Sequence, residues 1–403
     1  MSIPYKFTRE HVFSPYAAAV GASQPFLKSA QSSASGGIIQ GQAHPAESAQ
    51  PSQRPITTIS VGPCLVRGGA EQWLVDLSRF LDPQRVRMLR TIVTMPECVD
   101  PGFLESVPVP VEVGQAEAVR RAAGECDVLL CWGIQLDDWL ADCKPKTCVF
   151  VAHGEGEWTR QLLANSARVV DHVVAVSYRV KEKVSNGVPT TVIYNGVDAG
   201  RLGRTQSRDA MRSSLGFRPT DFVLGYVGRF SGEKRVDMIV DAVSQLPPCF
   251  KLLLVGWGAD RWQLMDVANS KIPGRYAFAT AAQYLGDYYQ AMDSLCLVSD
   301  QEGDALVVLE AMMCERPVIV TPVGSVPEII QHRINGVIVD GSSASIVEAA
   351  RLLKEHPACA RAIASEAKMF VDQHGHALRM ARDYENLLHK LSRREAAASQ
   401  GLV

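Results

Sequence analysis

The 403-residue chain has no apolar run of the ~18–20 residues that a bilayer-spanning helix requires. It has no lysine or arginine before Lys6 and no strong apolar core after it, which makes the N-terminus a poor secretory signal and the cytoplasm the expected compartment. It has no C-x-x-C pair among its ten cysteines, at 64, 98, 126, 131, 143, 148, 249, 296, 314 and 359, which argues against a zinc site. Most of these cysteines stand in apolar runs such as CDVLLC and TCVF and read as reduced core residues. There is little net charge, −2, which argues against a general nucleic-acid binder. No Asp-x-Asp pair stands out where it could bridge a metal to a diphosphate.

What is present is ordinary for a soluble globular protein: 47% hydrophobic and 21% charged residues. At roughly 100–200 residues per domain the length suits two or three domains. Residues 1–54 are rich in Ser, Ala, Gln, Gly and Pro and poor in large apolar side chains, so a disordered extension is expected there. From Ile56 apolar runs alternate with helical patterns: ITTISVG, VRMLRTIVTM, CDVLLCWG, TCVFVAHG and HVVAVS read as strands. A polar, arginine-rich stretch at 201–220 reads as a connection, after which FVLGYVGR and FKLLLVGWG restart the pattern. Such alternation predicts parallel sheets covered on both faces, hence an α/β chain of two doubly wound units. The expected divisions are 1–54 extension, 55–200 first domain, 201–220 connection, 221–375 second domain, and 376–403 a C-terminal helix and tail that can pack back on the first domain.

In doubly wound sheets ligands bind beyond the carboxyl ends of the strands, and chemistry-bearing residues gather at those ends. Gly68 and Gly69 stand between the first strand and its helix, where glycine permits close approach of a ligand to the backbone. The loop is not G-x-G-x-x-G, so a dinucleotide fingerprint is not met. His153 follows the strand TCVFVA. Arg229 and Lys234 bracket a Ser-Gly turn after FVLGYVG, where two cations can neutralise a diphosphate. The stretch SDQEGDALVVLEAMMC carries Glu302 in a polar turn and Glu310, eight positions on, inside a buried helix. Between them, Asp304, Ala305 and Leu306 stand at the helix start, where free amides attract phosphate. A phosphate site flanked by two carboxylates suits a nucleotide sugar. Arg79, Arg85, Arg87 and Arg90 follow the first helix and suit either a solvated face or a peripheral contact with anionic lipid.

Taken together these residues resemble the retaining GT-B glycosyltransferases of family 4, from about Ile56 to Leu391. The E-x7-E motif is Glu302 and Glu310; the G-R-x-x-x-x-K element is Gly228, Arg229 and Lys234; the Gly-Gly-x-Glu loop is Gly68, Gly69, Ala70 and Glu71. The strand-end histidine is His153, and Asn195–Asp198 is similar to the family's Asn-Gly-hydrophobic-Asp element. The resemblance implies two Rossmann-like domains facing a cleft, with Glu302 at the donor sugar, Glu310 at the ribose, Arg229 and Lys234 on the diphosphate, and His153 beside the transferred sugar. Gly303–Leu306 departs from the usual Gly-Phe-Gly-Leu, and Asp304 would bring a negative charge near the phosphates.

The expected activity is retaining transfer of a hexosyl group from a UDP- or GDP-sugar to an acceptor hydroxyl of a glycan, glycolipid or small molecule. No cofactor and no metal are expected, the two cations replacing a divalent ion. Glu302 and His153 are the catalytic candidates; Gly68, Gly69, Arg229, Lys234, Asp304, Ala305, Leu306 and Glu310 are the donor-binding ones. Two alternatives stay open: a nucleotide-sugar epimerase, needing further acid/base carboxylates in the first domain, and a non-catalytic sugar-nucleotide-binding scaffold.

Overall fold

The computed structural model of the chain describes residues 54–184, 187–280 and 285–400, with side chains to 393. The expected extension lies outside the described residues except for Arg54. That residue belongs to the ordered body: its guanidinium makes a two-point pair with Asp127, at 2.7 and 2.8 Å.

Among the described residues the strands form two sheets. The first contains β1 (Ile56–Gly62), β2 (Val86–Val93), β3 (Val111–Val113), β4 (Val128–Cys131), β5 (Thr147–Ala152), β6 (His172–Ala175) and β7 (Thr190–Val192), in the order β3-β2-β1-β4-β5-β6-β7. The second contains β8 (Phe222–Arg229), β9 (Phe250–Trp257), β10 (Tyr276–Ala279), β11 (Ser294–Leu297), β12 (Val318–Val320) and β13 (Val337–Ile338), in the order β10-β9-β8-β11-β12-β13. Every pairing is parallel. That explains why the central strands are continuous apolar runs: helices cover both faces, so β4 and β5 are buried at every position. Each sheet has its own core, one around Trp73, Leu129 and Phe150, the other around Tyr226, Leu253 and Ile319. The two sheets make an α/β, two-domain GT-B arrangement.

The chain crosses between the sheets twice, at adjacent places. Val197 donates to the Gly375 carbonyl at 2.8 Å and accepts from the Ala377 amide at 3.1 Å. Glycine is needed at 196, because a Cβ there would lie 2.5 Å from the His376 carbonyl. The last helix, Ala377–Gln400, then lays Tyr384, Leu387 and Leu388 into the first core. Its Glu385 accepts from the Asp82 amide and from Arg85.

The 201–220 connection contains a short helix and is tied to the second domain by its arginines. Arg208 and Arg212, one helical turn apart on the helix Arg208–Ser214, both pair with Asp293, and Arg212 is wholly buried among the Ala291, Pro219 and Asp221 carbonyls. The spacing of four stacks both side chains on one face. The arginines in the last turn of the first helix and after it do not form a basic patch. Arg79 pairs with Asp198, Arg85 with Glu385 and Arg90 with Glu112 and Glu125, leaving Arg87 exposed. Among the described residues no helix is long and apolar enough to cross a membrane.

Candidate active site

The strand order reverses between β8 and β11 and between β1 and β4, and a doubly wound sheet opens a crevice at such a reversal. The crevices of the two sheets form one cleft of 1110 Å³. It is lined from the first domain by Gly68, Gly69 and His153, and from the second by Arg229, Lys234 and the 302–310 segment. All the residues singled out from the sequence therefore meet in one place.

On the second-domain side, the loops after β8 and β11 are laced together. The Asp300 amide donates to the Glu233 carbonyl at 2.8 Å, and Arg235 pairs with Asp300 at 3.2 Å. Lys234 stands on the short turn Gly232–Lys234 and puts its Nζ 2.7 Å from Glu302 Oε1, which also accepts from Ser299 Oγ at 2.7 Å. Glu302 Oε2 has no hydrogen-bond partner among the described residues. Arg235, next to Lys234, holds a left-handed backbone (φ 50) without being glycine. Such strain persists only where the surroundings over-determine it, and it gathers at functional sites. Arg229 is more than half exposed and is held by Glu233 at 2.9 Å.

Glu310 is buried in the helix Leu306–Met313, and both its oxygens are engaged: Oε1 by Arg201 and Oε2 by the Tyr289 hydroxyl, each at 2.6 Å. Neither partner was found from the sequence. Arg201 lies 109 positions away, at the start of the polar connection. Tyr289 lies in a helical pattern that carried no distinguishing signal.

The helix start differs from expectation. The Leu306 amide donates to the Asp304 carbonyl at 3.0 Å and the Ala305 amide reaches Ser325 Oγ at 3.4 Å, so neither stands free. The Val307 amide has no partner among the described residues, and neither has the amide of Asp304. The shift arises because the chain turns into the helix one residue later than the DALVV pattern suggests, with Ala305 as its N-cap. Asp304 is also corrected. Its carboxyl does not point unpaired at a phosphate: Oδ2 accepts from the Asn195 amide at 2.9 Å and Oδ1 from Ser325 Oγ at 2.7 Å, tying the domain crossing to the helix start.

Burial pushes the Asp304 carboxyl up to about 7, from an ordinary 3.8. The folded protein therefore holds this proton more tightly than the unfolded chain, and the stability so gained is lost as pH rises through that window. Asp304→Asn removes the titration and is predicted to gain on wild type as pH rises. Melting temperatures of both proteins at about pH 5 and about pH 8 check this. A difference that stays constant, or moves toward wild type at the higher pH, contradicts it.

On the first-domain side, the Glu71 carboxylate folds back over Gly68; a Cβ at 68 would sit 2.4 Å from Glu71 Oε2. Cys64 donates to Glu71 Oε1 at 3.3 Å. Burial, with Glu71 beside it, pushes the Cys64 thiol up to about 12, so it is no nucleophile at neutral pH. His153 lies edge-on against Trp73, ring centres 4.9 Å apart, and its Nε2 is covered and unpartnered among the described residues. Burial pushes its pKa down to about 3, so at neutral pH the ring is neutral. It can hydrogen-bond a hydroxyl but cannot act there as a cationic acid.

The two faces touch. Trp257 Nε1, at the end of β9, donates to the Arg67 carbonyl at 3.1 Å, beside the glycine loop. Glu328 accepts from the Tyr178 and Arg179 amides, both at 2.9 Å, at the start of a first-domain helix. Among the described residues no group of three or more His, Cys, Asp or Glu is arranged to hold a metal ion.

Residues 221–356 match the family profile described as glycosyl transferases group 1. Among curated proteins the chain is 27% identical over 231 residues to the N-acetyl-alpha-D-glucosaminyl L-malate synthase of Bacillus anthracis, covering 55% of this chain and 60% of that protein. It is 28% identical over 253 residues to the lipopolysaccharide core biosynthesis mannosyltransferase LpsB of Rhizobium meliloti (strain 1021), covering 57% of this chain and 69% of that one. The match thus spans less than two thirds of the first of these relatives. Among solved structures the fold is similar to Anabaena Alr3699/HepE in complex with UDP-glucose, with a TM-score of 0.74 and 21% identity over 83% of this chain and 100% of that one.

Proposed function

We propose that this chain, whose residues 221–356 match the profile of the group 1 glycosyl transferases, moves a hexosyl group from a nucleoside diphosphate sugar to an acceptor hydroxyl with retention at the anomeric carbon. The observation that carries the reading is the Lys234–Glu302 pair at the strand reversal of the second sheet, with Glu310 on the helix that follows. The diphosphate lies beside Arg229, Lys234 and the Val307 amide, the ribose against Glu310, and the sugar toward Glu302 and His153. The HepE structure, with UDP-glucose in the same fold, supports a uridine donor; the guanosine alternative stays open.

In the transfer step the bond from the anomeric carbon to the β-phosphate oxygen breaks and its electron pair stays on that oxygen. The acceptor oxygen bonds to the same face of the carbon, and its proton passes to the departing phosphate. Lys234 and Arg229 stabilise the growing charge on the leaving group, as fixed cations do in a water-poor cleft. They take the part that a divalent ion would otherwise play, so no metal is needed. The unpartnered Glu302 Oε2 accepts a sugar hydroxyl and opposes the positive charge developing on the ring. A neutral His153 hydrogen-bonds the sugar. The acceptor, a glycan, glycolipid or small molecule, enters from the first-domain side.

Turnover of a panel of UDP- and GDP-hexoses, with and without sugar acceptors, tests this. The expected result is acceptor-dependent transfer that survives excess EDTA. Release of an epimerised sugar without acceptor points to an epimerase instead. Complete loss in EDTA, restored by magnesium or manganese, contradicts the metal-free part of the reading.

A further inference from the structure

Four elements from different parts of the chain meet behind the helix that carries Glu310. The helix Gly69–Phe80 of the first domain supplies Asp76, the turn Ala199–Leu202 at the crossing supplies Arg201, the helix Leu285–Ala291 supplies Tyr289, and the helix Leu306–Met313 supplies Glu310. Arg201 is lopsided. One terminal nitrogen is 2.6 Å from Glu310 and 3.9 Å from Asp76 Oδ2, and its Nε has no hydrogen-bond partner among the described residues. Asp76 is fully buried; Gln72 donates to its Oδ1 at 2.8 Å, and its Oδ2 is unpartnered. A buried charge left partly unsatisfied is costly, as Arg201 is here, and burial pushes the Asp76 carboxyl up to about 7, so a proton and the cation compete for its open oxygen across a gap too long for a hydrogen bond. Burial alone would lower the Arg201 pKa, but the Glu310 and Asp76 carboxylates more than reverse that, so the side chain is always cationic.

The Nε–Nη2 edge of Arg201, whose Nε is unpartnered among the described residues and whose Nη2 already donates to Glu310, is the half of the guanidinium that makes two-point pairs with a carboxylate. Asp76 offers the matching edge. Meanwhile Glu310 already has a donor on each oxygen, which competes with any diol. A ribose that gives two O–H donors to Glu310 weakens the hold of Arg201 there, and Asp76 is placed to take the cation over.

We propose that Arg201 is a positioning residue for the nucleotide, shared between Glu310 and Asp76: it orients the Glu310 carboxylate toward a ribose diol and swings onto Asp76 when the diol binds. This rests on the nucleotide-sugar reading of the cleft. Because Asp76 belongs to the first domain and Glu310 to the second, the swing links recognition of the ribose to contact between the domains.

The test is calorimetric titration of the full chain with UDP and 2′,3′-dideoxy-UDP, and with the two guanosine counterparts. Wild type should prefer the ribose form by about tenfold or more, as two hydrogen bonds to a charged group imply. In Arg201→Met that preference should fall toward unity, with the dideoxy form bound as in wild type. In Asp76→Asn the ribose form should weaken by roughly threefold or more while the dideoxy form is unchanged, although Asp76 touches no nucleotide. Arg201→Lys should recover part of the preference. A merely structural role would weaken both ligands alike and leave their ratio intact, which overturns the inference alone. Wild type that binds neither nucleotide overturns the donor reading and this inference with it. Should Arg201→Met fail to fold, Asp76→Asn decides: an unchanged ratio is against the inference.

Discussion

Lys234→Ala is expected to lower turnover by about a hundredfold or more, as loss of a preorganised charge contact does. Lys234 is the half-buried cation of the β8 loop, and its ammonium is fixed by Glu302 rather than free in solvent. Its position is further set by the lacing of the two loops through Asp300 and Glu233. A cation held this way needs little reorganisation when charge develops on the leaving diphosphate. Arg229→Ala should also be impaired, but less, because that guanidinium is more than half exposed and shared with Glu233. The measurement is kcat with saturating donor. Rates near wild type in both variants would remove the cations from the mechanism.

The second large effect is a division of labour between the two glutamates. Glu310→Gln is predicted to weaken binding of the free nucleoside diphosphate by about tenfold or more, raising KM more than it lowers kcat. Its partners Arg201 and Tyr289 hold it buried within the helix Leu306–Met313. A contact to ribose is equal in ground and transition states, so its loss falls on binding. Glu302→Gln is predicted to leave diphosphate binding within about threefold of wild type and to lower kcat by about a hundredfold. In the proposed donor pose Glu302 stands where the sugar gains positive charge, and its Oε2, unpartnered among the described residues, faces that charge. Titration with the diphosphate and steady-state kinetics on both variants decide the matter. The reverse pattern would mean that the donor lies the other way round in the cleft.

Much of the fold could be read from the chain because parallel strands buried on both faces leave unbroken apolar runs, as in VLLC of β4 and TCVFVA of β5. The members of the site could be read for a related reason. Arg229, Glu302 and His153 all immediately follow such runs or stand within a few residues of them, and strand ends converge in a doubly wound sheet. What the sequence hid were pairings between distant segments. Local spacing relates Glu302 to Glu310, but nothing local relates Glu310 to Arg201 or Tyr289, or Asp304 to Asn195 and Ser325. The same limit explains the arginines at 79, 85 and 90. They read as a basic cluster because their acidic partners Asp198, Glu385 and Glu112 lie elsewhere in the chain. Two of the three amides expected free at the helix start, those of Ala305 and Leu306, are engaged, and capping by a carbonyl two positions back or by a distant serine leaves no mark in the sequence.

The central claim is that the second-domain half of the cleft holds a nucleoside diphosphate. The measurement that tests it most directly is a crystal structure of the full chain with UDP or GDP bound. The account predicts the diphosphate within hydrogen-bond reach of Lys234, Arg229 and the Val307 amide, and the ribose hydroxyls on Glu310. A nucleotide bound against the Gly68–Gly69 loop and away from Lys234, or with its ribose on Glu302, would contradict it.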